Sequence, residues 1–352
     1  MSVEGAAGRA LPAYRARIAR RLAWLAAAAA AAAGLLALGD VLTGPARLDL
    51  GAVLWALAAP AGADARVVTI VWDIRLPMTL MAMVVGAALS VAGAAMQTLL
   101  GNPLASPYTL GFSAAAGFGA ALALLLGVSL PWLPWLTVPV AAFAGTALAA
   151  LLVYGLSRLR AMTAETMVLA GIATLFLFQS AQSLVQYLAA PEVLRAIVFW
   201  LFGALLKASW YNLPISAGIL ALGVAALAPV VWQLTALRLG DARAAALGVD
   251  VRRLRLCVFA IVALLTAGAV SFVGTIGFIG LVAPHIARML VGDEQRFLLP
   301  MAGLTGAGLL TGASILSKVL APGLVIPIGI VTAVIGVPFL LALIVRRGRR
   351  YW

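Results

Sequence analysis

Long apolar runs follow one another along nearly the whole chain, and Gly, Pro and charged residues punctuate them. A helix that crosses a bilayer needs roughly 20 consecutive apolar residues. On that measure the pattern predicts helices at 22–42, 76–97, 108–127, 134–156, 163–188, 211–232, 254–275, 281–291, 298–319 and 327–345. The eighth is too short to cross alone. It works only if other helices bury it, or if it shares its crossing with the Gly-rich bend before it. Between the fifth and sixth runs, Glu192 to Lys207 predicts a short helix lying along the outer surface. The expected fold class is all-α, a polytopic membrane protein of about ten transmembrane helices.

Composition strengthens this reading. Of the 352 residues, 64% are hydrophobic and 10% are charged, with a mean hydropathy of +1.12; a soluble domain carries about 25% charged residues. So much apolar surface has to face membrane lipid or other helices. No stretch is polar enough for a separate soluble domain, so residues 1–352 are expected to form one transmembrane domain. Arg15, Arg17, Arg20 and Arg21 precede the first run as in a signal peptide, but the apolar part of a signal spans only about 7–15 residues. The first run is therefore expected to be a retained helix.

The net charge of +13 could suggest nucleic acid, but its distribution points elsewhere. With the N-terminus placed in the cytoplasm, 18 of the 24 Lys and Arg fall in inside segments. Cytoplasmic loops retain Lys and Arg in this way. Both termini, including the basic stretch 1–21, are then cytoplasmic, and no nucleic-acid partner is needed. Trp132, Trp135, Trp200, Trp210 and Tyr211 gather on the outer side. All eleven acidic residues fall in loops or at span ends. Ion-coupled carriers hold an ionisable residue inside the membrane; none is evident, so the energy source is expected elsewhere. Cys257 and His285 are the only residues of their types, which leaves no basis for a disulfide, a metal site or another cofactor.

A few segments carry chemistry. No phosphate loop of the form GxxxxGKS or GxxxxGKT occurs, so the chain is not expected to hydrolyse nucleotide and is not read as an enzyme. Segment 237–255, LRLGDARAAALGVDVRRLR, is the longest charged stretch between two spans. Asp241, Ala244, Ala245, Ala246 and Gly248 predict a short helix with small exposed residues. It is either a knob for a cleft on a partner or an ordinary basic loop. Pro103 and Pro107 stop helix continuation, and Asn102 offers an amide for capping. Gln179, Gln182 and Gln186 recur at i, i+3 and i+7, one helical face, with Ser183 at its edge. Such a face either lines an aqueous path or hydrogen-bonds to neighbouring helices. Gly274, Gly277, Gly280, Gly303, Gly306, Gly308 and Gly312 permit close helix approach. His285, after Pro284, suggests a hydrogen bond at a helix end.

Three strings carry a resemblance: RLPMTLMAMVVGAALSVAGAAMQTLLGNPLASPYTLGFSAAAGFGA (Arg75–Ala120), ALGVDVRRLR followed by GTIGFIGLVAPHIARMLVG (Gly274–Gly292), and IPIGIVTAVIGVPFLLALI (Ile326–Ile344). Together they resemble the permeases of ABC importers for iron-siderophores, haem and vitamin B12 (FecCD-type). The resemblance implies ten spans in a bacterial inner membrane, a second copy of the chain, two separate ATPase subunits and a periplasmic binding protein. It places Asn102, Pro103 and Leu104 in one part of a cytoplasmic gate, and Ala164 and Glu165 at the other, where a cobalamin-importing relative has small hydroxyl residues. It assigns Gly240, Asp241, Ala244, Ala245, Leu247 and Gly248 to the helix that docks into the ATPase. It places Arg75 and Lys318 on the outer lip that meets the binding protein, with Met78 replacing a further basic position. It makes the Gln179, Gln182 and Gln186 face part of the pathway. Ferric siderophore is the expected cargo, with haem and vitamin B12 as alternatives. A secondary transporter would need an intramembrane charge, and a scaffold would leave the gate and coupling strings unused.

Overall fold

The computed structural model describes residues 3–46, 48–159, 162–320 and 324–346. Arg47, Arg160, Arg347, Arg349 and Arg350, all counted in the charge distribution, lie outside the described residues. The helices are α1 (Val3–Leu42), α2 (Leu50–Ala58), α3 (Ala65–Val68), α4 (Leu76–Leu99), α5 (Phe112–Leu126), α6 (Thr137–Arg158), α7 (Ala164–Leu188) and α8 (Pro191–Leu201). There follow α9 (Leu213–Leu227), α10 (Val231–Leu237), α11 (Asp241–Ala246), α12 (Val251–Val273), α13 (Ile279–Val291), α14 (Gln295–Val319) and α15 (Ile328–Arg346). Among the described residues there is no strand.

Seven helical runs are long and apolar enough to cross a membrane, and α5, α13 and the start of α15 are shorter apolar helices. Together these account for the ten spans expected. α3 runs through a π-helical segment, Thr69–Arg75, into α4. α8 occupies the place predicted for a short helix between the fifth and sixth spans. The apolar periods did not announce α2 or α3. Each starts at an acidic cap, Asp49 accepting from the N–H groups of Gly51 and Ala52, and Asp64 from those of Arg66 and Val67. Such caps satisfy backbone donors that have no partner inside the helix.

α4 and α12 form the centre: 78% and 72% of their most apolar windows are buried, against 6% for α1. Lipid is as apolar as leucine, so helix association in a membrane depends on close van der Waals contact. α4 and α14 meet where Gly86 faces Gly306, and a Cβ on either would strike the other's carbonyl. α4 and α13 also meet closely: a Cβ on Gly93 would strike the Gly280 carbonyl, and one on Gly280 the Leu89 carbonyl. Two of the glycines named from the sequence thus sit at tight crossings, while Gly277 and Gly312 have open space.

The short α13 is accommodated by a bend, as required. Residues 274–278 are non-helical, and Phe278 turns the chain at φ 67. Backbone at membrane depth must find its hydrogen bonds inside the protein. Here the Ala204 N–H donates to Val273 O (2.7 Å), Ile328 N–H to Gly203 O and Gly329 N–H to Phe202 O (both 3.0 Å). The Thr275 hydroxyl donates to Leu201 O. Three breaks in helical structure are stitched into one knot.

Two sequence expectations are corrected. His285 lies within α13, not at its end, buried with its ring edge-on to Phe339 of α15 at 6.0 Å. Trp200 is buried too, whereas Trp132, Trp135, Trp210 and Tyr211 are exposed. Trp135, Trp200, Tyr211 and Lys207 nevertheless surround one cavity of about 760 Å³.

Candidate functional site

The segment between α10 and α12 folds as a compact knob. Gly240, at φ 94, turns the chain into α11, and Gly248, at φ 84, turns it out again. The Gly248 N–H donates to Ala245 O (2.9 Å) and the Val249 N–H to Ala244 O (3.1 Å). This is the Schellman closure, which needs a left-handed residue where Gly248 stands. Ala244 and Val249 are buried beneath it, as the motif's hydrophobic contact requires. Asp241, Ala245 and Gly248 are exposed, and Leu247 is 52% exposed at the tip.

The knob is anchored from below. Arg255 of α12, 6% exposed, donates from Nη2 to Asp241 Oδ1 at 2.9 Å and from Nη1 to Met162 O at 3.3 Å. Met162 is buried at φ 51, just ahead of α7. Thr163 caps α7 by accepting from the Thr166 N–H, so Ala164 and Glu165 open the helix next to this anchor. Ala164 is half-buried and Glu165 is exposed.

The other predicted gate element follows α4. Asn102 Oδ1 accepts from the Leu104 N–H at 2.9 Å, a local turn that Pro103 permits. The Asn102 N–H donates to Gln97 O at 3.1 Å. Asn102 and Leu104 are exposed and Pro103 is half-buried. Gln97 is buried; its Oε1 accepts from Arg288 Nη1 at 3.0 Å. Asp293 Oδ1 in turn forms ion pairs with Arg288, whose Nε is 2.7 Å away, and with Arg238, whose Nη1 is 2.6 Å away.

The glutamine face of α7 divides. Gln179 is exposed, and its carbonyl accepts from the Ser183 hydroxyl at 2.9 Å. Gln182 is half-buried against α5, where a Cβ on Gly117 would meet its Oε1. Gln186 is half-buried.

Arg75 and Lys318 require a correction. The resemblance placed them on the outer lip, free to meet a binding protein, but their residues are only 4% and 6% exposed. Arg75 donates from Nη1 to Val41 O (2.9 Å) and Leu42 O (3.1 Å), and from Nη2 to Ala46 O (2.5 Å). Lys318 Nζ lies 2.8 Å from Asp40 Oδ1 and donates to Asp40 O at 3.1 Å. Asp40 Oδ2 accepts from the Thr79 hydroxyl at 2.6 Å. Both cations are thus engaged inside the chain, holding the ends of α1, α4 and α14. A buried carboxylate is present after all, and a buried cation already compensates it.

The residues that sequence reasoning missed are Arg255, Gln97, Arg288 and Asp293. Arg255 and Arg288 enter the sequence reading only within the charge count of the inside segments. Arg255 falls on the α12 face that also carries the buried Leu254 and Val258, a period that placed it inward.

A profile of the FecCD transport family matches residues 24–346. The chain belongs to that family. It is 38% identical to the hemin transport system permease of Yersinia pestis, covering 79% of this chain and 84% of that protein. It is also 38% identical to the Fe(3+) dicitrate transport system permease of Escherichia coli, over 79% of this chain and 85% of the relative. The vitamin B12 import system permease of Vibrio cholerae is 35% identical over 79% of this chain and 83% of its own. Among solved structures, a transporter described as of metal-chelate ABC type, in an inward-facing conformation, matches with a TM-score of 0.78 and 29% identity. The match covers 92% of this chain and 99% of that one. This FecCD chain is therefore a multi-pass membrane permease of an ABC transport system, and its helices form the permease fold.

Proposed function

We propose that this chain is the transmembrane subunit of an ABC importer that moves an iron chelate, foremost a ferric siderophore, from periplasm to cytoplasm. The observation that carries the reading is the knob of Gly240–Gly248. It is a small-residue helix with a closed cap and an exposed Leu247 tip, in a FecCD chain that has no nucleotide loop of its own. A surface so small and so firmly closed suits a cleft on a separate ATPase, and two such ATPase subunits would serve two copies of the chain. Both termini then lie in the cytoplasm, with the knob on their side of the inner membrane. A periplasmic binding protein delivers cargo to the opposite face.

The exposed side of α7, with Leu169, Ile172, Phe176, Gln179 and Tyr187, supports a path between the two copies. Gln179 supplies polar contact along it, with Gln182 and Gln186 behind. An apolar groove of about 1100 Å³ between α4, α9 and α14 suits lipid contact. Iron is favoured because the strings GNPL and LASPYTLG resemble ferric-siderophore members, and a ferric dicitrate permease and a hemin permease are each 38% identical to this chain. Haem and vitamin B12 are the alternatives. The test is uptake of radiolabelled iron, offered as ferric siderophore or as haem, by cells that lack this chain. Loss of siderophore uptake, restored by the gene, supports the reading. Unchanged uptake of both forms removes iron as the cargo.

A further inference from the structure

We propose that the knob drives the two gate elements through two separate ionic chains. One runs Asp241–Arg255–Met162 to the start of α7. The other runs Arg238–Asp293–Arg288–Gln97 to the Asn102 turn. The proposal rests on the reading of Gly240–Gly248 as the ATPase-coupling knob and of the two loops as gates.

The two chains leave the same short stretch in different directions. Arg238 and Asp241 stand on either side of Gly240, the turn into α11. Of the five ion pairs among the described residues, three lie on these chains. Most of the ion pairs among the described residues therefore lie between the knob and the gates.

In the first chain, one guanidinium bridges two elements. Its planar fork fixes the direction of both hydrogen bonds, which a lysine cannot do. Its side chain is 7% exposed, so releasing Asp241 would strand a buried charge. A displacement of α11 is thereby passed to the Met162 carbonyl. Met162 is a non-glycine residue in the left-handed region, a strained conformation poised to change. In the second chain, Asp293 Oδ1 holds two arginines at once, 2.6 and 2.7 Å away. Arg288 then grips the buried Gln97, whose own carbonyl holds the Asn102 N–H. Arg255, Asp293 and Arg288 are positioning residues: they act on the gates and do not touch cargo.

The experiment uses the permease assembled with its ATPase in lipid nanodiscs, in a Cys257→Ala background. Asn102→Cys reports one gate and Glu165→Cys the other, both at exposed positions. The measurement is the change in maleimide labelling rate on trapping with ATP and vanadate, which requires no knowledge of the cargo. Arg255→Gln should reduce that change at position 165 by roughly 3- to 30-fold and leave position 102 as in the parent. Asp293→Asn should do the reverse. Arg255→Lys, which keeps the charge and loses the fork, should fall between, and it serves if Arg255→Gln does not assemble. Parental responses at both positions, or equal loss at both, would overturn the proposal, because a merely structural role cannot separate the gates. A parental response in Ala245→Glu would instead remove the coupling reading on which the proposal rests.

Discussion

Lys318 Nζ lies 2.8 Å from Asp40 Oδ1, and the two side chains are 2% and 0% exposed. The pair joins the end of α1 to the end of α14, 278 positions apart in sequence. Removing one partner of a buried pair leaves an uncompensated charge and costs about 3–5 kcal/mol, whereas replacing both by neutral groups of similar volume is nearly neutral. Lys318→Met should therefore lower the unfolding temperature in detergent far more than Lys318→Met combined with Asp40→Asn. Equal losses in the two would mean that the pair does not bear on stability.

The Gly86–Gly306 crossing yields a steric prediction. A Cβ at position 306 meets the Gly86 carbonyl and the Ser90 Cβ, and neither is the end of a flexible side chain. Gly306→Val should destabilise by about 1–3 kcal/mol through forced separation of α4 and α14. Gly312→Ala, on the same helix with nothing within 4 Å, should change stability by less than about 0.5 kcal/mol. Thermal unfolding of the two purified variants side by side decides the point.

The knob separates shape from docking. Gly248→Ala must hold a Cβ at φ 84, which costs about 1–2 kcal/mol and loosens the closure over Ala244. Ala245→Glu changes an exposed position and should leave folding intact, yet it places a charge on the face proposed to meet the ATPase. Co-purification with a tagged ATPase should fail for Ala245→Glu while membrane insertion stays normal. Retention of the ATPase by that variant would contradict the docking assignment.

Orientation has its own test. With 18 of 24 basic residues assigned to one side, a fluorescent protein fused after Trp352 should mature in the cytoplasm and fluoresce, and a periplasmic alkaline phosphatase fused there should be inactive. The opposite pair of results would invert the topology.

The spans were legible in the sequence because lipid imposes a length and a hydropathy on each of them, and even the short eighth was foreseen with its bend. The knob could be read from Gly240 and Gly248, which bracket a run of small residues. Arg75 and Lys318 could not be placed by the same logic, and the α12 period that turns Arg255 inward does not name its partner. An arginine at a span end satisfies the hydropathy pattern equally well whether it reaches water or turns inward to a carbonyl. Its partners, such as Val41 O for Arg75 and Met162 O for Arg255, lie 34 and 93 positions away, where no local period connects them. Likewise Gly86 and Gly93 draw attention only once Gly306 and Gly280 are seen opposite them.

The most direct test of the central claim is ATP-dependent accumulation of a ferric siderophore in proteoliposomes holding this chain, with its ATPase and binding protein supplied or withheld. Accumulation is predicted only when all three are present, with Ala245→Glu abolishing it. Accumulation by this chain alone, or driven by an ion gradient without ATP, would contradict the account.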